Sequence, residues 1–197
     1  MMSKFNEIYL GSKSPRRKEL LNQIGVKHQP LLFDIEERVE INETALEYSK
    51  RITAQKLFHG WNIILTQGLE LKPILCADTE VVCNNKILGK PNDYDEAFSM
   101  LQQYSNSSHT VITSVGLKFK DFDKVITNST QVNFSYIPDE QIHYYLLSKD
   151  YIDKSGGYGI QSYFGQFITG INGCFFSVMG LPLNSVRMLL NELDQFI

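Results

Sequence analysis

A short apolar run, Ile8-Tyr9-Leu10, passes directly into Gly11-Ser12-Lys13-Ser14-Pro15-Arg16-Arg17, and no other stretch limits the fold as strongly. The run reads as a strand. A helix follows, with Leu20, Leu21 and Ile24 as its apolar positions and Gly25 as its natural stop. Ser14 suits the N-cap, and Pro15 sits where a first helical residue tolerates proline. Two arginines therefore fall in the first turn of a helix, just past a Gly/Ser loop. Free backbone N–H groups, hydroxyls and guanidinium groups converge there, which suits an anion. An ordinary capped helix fits these residues equally well, and cations in a first turn oppose the helix dipole.

The rest of the chain alternates strands and helices, which predicts an α/β fold. Gln29–Ile35 reads as extended, and Glu43 to about Phe58 as a helix capped by Asn42 or Thr44. Residues 61–72 read as a loop with some local order. A second dense stretch, Ile74-Leu75-Cys76-Ala77-Asp78-Thr79-Glu80-Val81-Val82-Cys83, has a buried strand pattern interrupted by Asp78-Thr79-Glu80. Burying an ionised carboxylate costs several kcal/mol unless a partner or a role offsets it. Apolar residues on both sides argue against an exposed turn at Asp78.

Asn84-Asn85 predicts a hairpin turn. Gly89 and Pro91 then constrain Lys90, which either meets a phosphate or sits solvated. Asp93–Gln103 reads as a helix with an Asp93/Glu96 capping box. His109–Phe119 and Val125–Tyr136 read as long paired strands, with His109 a hydrogen-bonding residue at a strand start. Pro138 opens a helix through Leu147. In Asp153-Lys154-Ser155-Gly156-Gly157-Tyr158-Gly159-Ile160-Gln161, the glycines permit unusual backbone angles and close approach. A surface turn and a binding loop fit that pattern equally, and Lys154 and Gln161 could read phosphate and base. Phe167–Ile171 reads as a strand and Asn184–Phe196 as the final helix.

Composition narrows the partners. A net charge of −3 over 197 residues, without a basic stripe, argues against a nucleic-acid binder. No apolar run reaches 18 residues, so no membrane span is expected. Met1–Glu7 is polar and lacks the apolar centre of a signal peptide. Cys76, Cys83 and Cys174 are odd in number and lack zinc spacing, which suits free thiols in a reducing compartment, hence a cytoplasmic protein.

Six stretches together resemble the Maf-like nucleotide pyrophosphatases. They are Ser12–Leu21, Ala77-Asp78-Thr79, Gly89-Lys90-Pro91, Ser108–Thr113, Asp153–Gln161 and Gly180-Leu181-Pro182, in family order and across nearly the whole chain. Arg16-Arg17 and Gly159-Ile160-Gln161 are similar to the subgroup acting on dTTP and UTP. The resemblance implies a single Maf/ITPase-like domain over residues 1–197, in two lobes around a central cleft. It implies an elongated mixed β-sheet flanked by helices, and a homodimer. It also implies hydrolysis of a nucleoside triphosphate to the monophosphate and pyrophosphate with a divalent cation, Mg²⁺ or Mn²⁺.

Residue by residue, Asp78 matches the family's catalytic carboxylate. Arg16, Thr79 and Gln161 match positions linked to base selection, and Ser12, Arg17, Lys56 and Lys90 match phosphate-binding positions. Glu37 matches the polar wall of the cleft, and the divalent cation would be held at Glu37 or Asp78; Asp78 either takes the proton from the attacking water or holds that metal. A nucleotide sensor that binds without hydrolysis is the alternative. Four departures from the pattern stand out: Gly11 in place of alanine, expected to be harmless; Asn106-Ser107 in place of a glycine-containing turn; Ser155 in place of alanine; and a longer segment between Lys56 and Ile74.

Overall fold

The protein is described by a computed structural model covering residues 4, 5 and 7–197. Residues 1–3 and 6, part of the polar stretch read above for a signal peptide, lie outside the described residues. The strands are β1 (Ile8–Leu10), β2 (His28–Pro30), β3 (Ile74–Cys83), β4 (Lys86–Leu88), β5 (Ser108–Phe119), β6 (Phe122–Phe134) and β7 (Ile168–Asn172). The helices are α1 (Pro15–Gln23), α2 (Ala45–Thr66), α3 (Tyr94–Gln102), α4 (Asp139–Leu147), α5 (Phe175–Val178) and α6 (Leu183–Phe196). The strands form one mixed sheet in the order β2-β1-β3-β5-β6-β7, with β4 paired to β3. β1 runs parallel to β2 and β3, whereas β4 pairs antiparallel with β3 and β7 with β6. The expected α/β class with a mixed sheet and flanking helices is what forms.

The chain divides into two compact units. The first holds residues up to Asp78, Thr113–Thr127 and Gly180–Ile197; the second holds Thr79–Ile112 and Asn128–Met179. In the first, α2 lies close on β5. A Cβ at Gly116 would stand 2.6 Å from Leu57 Cδ1 and 3.0 Å from Lys124 O, so a side chain there would force Leu57 to shift. Ser49 Oγ donates to Ser114 Oγ at 2.9 Å, which satisfies hydroxyls buried at the contact. In the second unit Val81, Leu101, Val111, Val132, Phe134, Ile142 and Phe164 form the core. Each such buried side chain contributes roughly 1.5–3 kcal/mol relative to exposure.

Several elements differ from expectation. Helix α2 does not stop near Phe58 but runs to Thr66, so residues 61–66 are helical. Gly60 is a close-packing position: a Cβ there would lie 2.3 Å from Ile74 Cδ1 and 2.8 Å from Phe33. The helix ends instead at Gln67, before Gly68 at φ 63°. Strand β3 is not interrupted at Asp78-Thr79-Glu80; all ten residues are extended. The extended run at 29–35 is only β2, ending at Pro30. The second long strand starts at Phe122, three residues before the expected Val125, so the turn is only Lys120-Asp121, with Lys120 at φ 52°.

Other signals read as written. Thr44 caps α2 in a full capping box with Glu47. Asn84 and Asn85 both take positive φ, 50° and 61°, as a two-residue hairpin turn demands. Asp93 caps α3, but Glu96 reaches back to Asn92 N rather than closing the box. Asn106 occupies the left-handed region at φ 51°, which explains how it replaces a glycine-containing turn.

Candidate active site

The parallel pairing of β1 with β3 sets the first unit's polar cluster. Gly11 N donates to Leu75 O at 2.9 Å, so the chain leaving β1 runs beside the segment that continues into Asp78. Closeness here depends on Gly11. A Cβ would stand 2.5 Å from Cys76 Sγ and 3.2 Å from Phe33. The departure from alanine therefore makes room for Cys76. Burial pushes the Cys76 thiol up to about 12, so it stays protonated and inert as a nucleophile.

Beyond Gly11, Ser14 holds the N-cap position of α1 but its side chain makes no capping bond. Ser12 Oγ instead accepts from the N-cap residue's own amide, Ser14 N, at 3.2 Å. The same oxygen accepts from Arg17 Nη1 at 3.1 Å, and Arg17 Nε donates to Gly180 O at 2.9 Å. Gly180 has φ 104°, a backbone state open to glycine but strained for other residues. Its carbonyl is thus aimed by a residue type that sequence reasoning placed only in a motif. Burial lowers the Arg17 pKa, opposed by the field of Asp78 and, more weakly, Glu37. Arg16, half-buried in the same helical turn, adds a like charge against Arg17.

Asp78 is only 5% exposed. Its Oδ1 accepts from Lys56 Nζ at 2.7 Å, while Oδ2 is buried without a hydrogen-bond partner among the described residues. Lys56 Nζ also lies 2.8 Å from Glu37 Oε1, so one ammonium joins two carboxylates. Glu37 comes from an irregular segment pinned by Arg51, whose Nη2 donates to Arg38 O at 2.8 Å. Arg51 is itself held by Glu43 at 2.6 Å through Nε, and that bond pulls the Glu43 carboxyl down to about 2. Ser12, Arg16, Arg17, Glu37, Lys56 and Asp78 therefore come together within one unit.

The carboxylates suit a hard cation. Glu37 and Asp78 both meet the Lys56 ammonium, and Asp78 Oδ2 is unsatisfied. Among the described residues no group of three or more His, Cys, Asp or Glu side chains could hold a metal unaided. Glu37 and Asp78 are the carboxylates that could hold a Mg²⁺-type ion, whose other positions would fall to water and phosphate oxygens. A concavity of about 660 Å³ beside α2, lined in part by Glu36, Arg38, Arg51 and Phe58, includes none of the expected site residues.

The second unit carries Thr79, Lys90 and Gln161. Thr79 is half-buried in β3, and Lys90 and Gln161 are exposed. The glycine loop before Gln161 is no surface turn, because Gly156–Gly159 are buried. Gly156 N donates to Gly89 O at 2.9 Å, which ties the loop to the segment bearing Lys90. Lys154, read above as a phosphate candidate, is instead buried on Asp150, with Nζ 2.8 Å from Oδ1. His109 is 3% exposed, with Nε2 2.9 Å from the Tyr158 hydroxyl. Burial pushes its pKa down to about 4, so the ring is neutral near pH 7.

Comparison with known proteins places the chain. It is 40% identical over 192 residues to the dTTP/UTP pyrophosphatase of Chromobacterium violaceum, covering 98% of this chain and 97% of that protein. The dTTP/UTP pyrophosphatases of Dechloromonas aromatica and Nitrosomonas europaea are 38% and 40% identical, covering 94% and 95% of this chain and 96% and 94% of theirs. Among solved structures, the Staphylococcus aureus Ham1 protein aligns with a TM-score of 0.42 and 12% identity, over 65% of this chain and 71% of that one. The family model for Maf-like proteins matches residues 7–193, and with relatives this similar along their length, the chain belongs to the Maf family.

Proposed function

We propose that this protein is a nucleoside triphosphate pyrophosphatase that hydrolyses dTTP and UTP to the monophosphate and pyrophosphate. The observation that carries the mechanism is Asp78, buried with one oxygen on Lys56 and the other unpartnered. A carboxylate held so costs several kcal/mol unless it has work to do, and accepting a proton or a cation is such work. Relatives about 40% identical over nearly their full lengths bear the name dTTP/UTP pyrophosphatase, which supports the substrate class.

In the proposed reaction, Arg17, Lys56 and Lys90 bind and neutralise the phosphate chain. Arg17 is pre-aimed by Ser12 Oγ and Gly180 O, so little orientational freedom is lost when phosphate arrives. Water attacks the α-phosphorus; Asp78 accepts its proton, a P–O bond forms, and the bond to the bridging oxygen breaks. Pyrophosphate leaves with that electron pair. Glu37 and Asp78 would hold a divalent cation, which when bound supplies charge neutralisation at phosphate oxygens. Arg16, Thr79 and Gln161 select the base through hydrogen bonds whose absence would leave polar groups unpaired.

A panel of normal and modified nucleoside triphosphates, assayed for monophosphate and pyrophosphate with Mg²⁺ and with Mn²⁺, tests this reading. Fastest release from dTTP and UTP is expected. Unchanged triphosphate after long incubation with either metal would replace the enzyme with a non-hydrolysing sensor.

A further inference from the structure

Three polar side chains of the second unit are buried where apolar ones of similar size would fill the space. Tyr104 OH donates to Gly156 O at 2.9 Å, and the Tyr158 hydroxyl lies 2.9 Å from His109 Nε2. The three rings pack on one another, Tyr104 edge-on to His109 at 4.6 Å and to Tyr158 at 5.7 Å. His109 Nδ1 is buried without a side-chain or backbone partner beyond its own residue. Buried polar groups cost stability relative to apolar ones unless fully satisfied, so stability alone does not account for the arrangement.

What the three groups share is the backbone of the glycine loop. Gly156 and Gly157 hold φ near 73° and 75°, and a Cβ on Gly156 would stand 2.8 Å from both Tyr104 OH and Val81 Cγ2. The loop is therefore drawn against Tyr104 at Gly156 and against His109 at Tyr158. Its far end is held as well, by Ser162 Oγ donating to Gly159 O at 2.9 Å. Gln161 stands between these anchors, with its Oε1 3.3 Å from where a Gly159 Cβ would be. An exposed amide that selects a base by directional hydrogen bonds discriminates only if its backbone is fixed beforehand.

We propose that His109, acting through Tyr158, is a positioning residue for base selection, holding the loop that presents Gln161. The same loop's Gly156–Gly89 bond carries the constraint to the segment bearing Lys90. His109 lies in the core of the unit and touches no substrate. The inference rests on the proposed reading of Gln161 as a base-selecting residue.

The test compares the full-length wild type with His109→Leu, His109→Gln and Tyr158→Phe. Each is assayed for pyrophosphate release from dTTP, UTP, dCTP and ATP with Mg²⁺. Tyr158→Phe removes one hydroxyl and keeps the ring, so it carries the test if His109→Leu fails to fold. His109→Leu and Tyr158→Phe are expected to lower kcat/KM for dTTP and UTP about tenfold, mostly through KM, the loss of one oriented hydrogen bond. Their preference for dTTP over dCTP falls with it, and His109→Gln restores most of both. Equal losses on all four nucleotides, or a preference unchanged in Tyr158→Phe, would overturn the inference while leaving the activity standing. A wild type that releases pyrophosphate from none of the four sinks the activity and, with it, the inference.

Discussion

The two compact units use polar groups in opposite ways. In the first, the groups around Asp78 are charged: Arg16, Arg17, Lys56 and Glu37 surround it or press their fields on its neighbour. In the second, the groups around the glycine loop are neutral. Burial raises the pKa of Tyr104 and Tyr158 and lowers that of His109, so all three stay uncharged near pH 7. The contrast fits the roles proposed for each, phosphate binding in the first and base selection in the second. Coulomb energy falls only slowly with distance, so a charged cluster still holds a phosphate chain displaced by a fraction of an ångström. A hydrogen bond to a base weakens steeply with angle, so its donor needs a rigid, dry support.

The sharpest way to break this comparison is Asp78→Asn. It keeps the shape and removes the charge, leaving Lys56 its contact with Glu37. Turnover of dTTP and UTP is expected to fall by about 10²- to 10⁴-fold, the usual range for a lost general base. Steady-state pyrophosphate release, with a melting curve to show the variant folded, reads the effect. A folded variant at near wild-type rate would remove Asp78 from the chemistry.

The neutral half has its own signature in pH. His109 binds a proton near pH 6.5 when unfolded but only near pH 4 when folded. Between those values the unfolded chain carries more protons, so stability rises with pH across that window and is level above it. The contribution is roughly 3 kcal/mol, lost as pH falls from about 6.5 to about 4. Denaturant unfolding of the full chain at several pH values should show this slope in the wild type and lose most of it in His109→Gln. An unchanged slope would mean that carboxylates, not the buried imidazole, set the acid limit.

How much of this was legible in the sequence depends on where each signal is written. Ser14-Pro15 and Gly25 bound α1 because helix ends are chemically local, and Asn84-Asn85 marks its turn for the same reason. The end of α2 near Phe58 is not where the helix stops, because Gly60 lets it approach Ile74 and continue, a contact that exists only in three dimensions. Asp78 and Glu80 suggested a broken strand, because the partner that makes a buried carboxylate tolerable is not next to it. Lys56 is 22 residues away and becomes a neighbour only once α2 has packed. The Gly180 carbonyl that aims Arg17 left no trace beyond the glycine itself, since backbone atoms are common to every residue. Lys154 looked like a phosphate ligand because its bond to Asp150 is made within a turn the sequence does not specify.

A smaller perturbation asks whether the charged cluster also needs close packing. Gly11→Ala would place a methyl group 2.5 Å from Cys76 Sγ. Overpacking of this kind costs about 1–3 kcal/mol. Cys76→Ala in the same chain should recover most of that loss, because it removes the atom in conflict, and a double-mutant cycle measures the coupling. Additive losses would show that the strain is taken up elsewhere. Since Gly11 directly precedes Ser12, the single variant should also raise KM for triphosphates and the double variant should lower it again.

The finest test separates charge from orientation within the first unit. Arg17→Lys keeps the positive charge but cannot donate to Gly180 O and Ser12 Oγ from one planar fork. A lysine ammonium there attracts phosphate as a point charge, without the preset direction. The expected result is about a tenfold fall in kcat/KM, equivalent to roughly one charged hydrogen bond. That fall should be the same for dTTP, UTP, dCTP and ATP, because all present the same triphosphate. A change in base preference would mean that the helix turn bearing Arg16 and Arg17 reads the base as a unit. The division of labour would then lie within that turn, not between a charged cluster and a neutral loop.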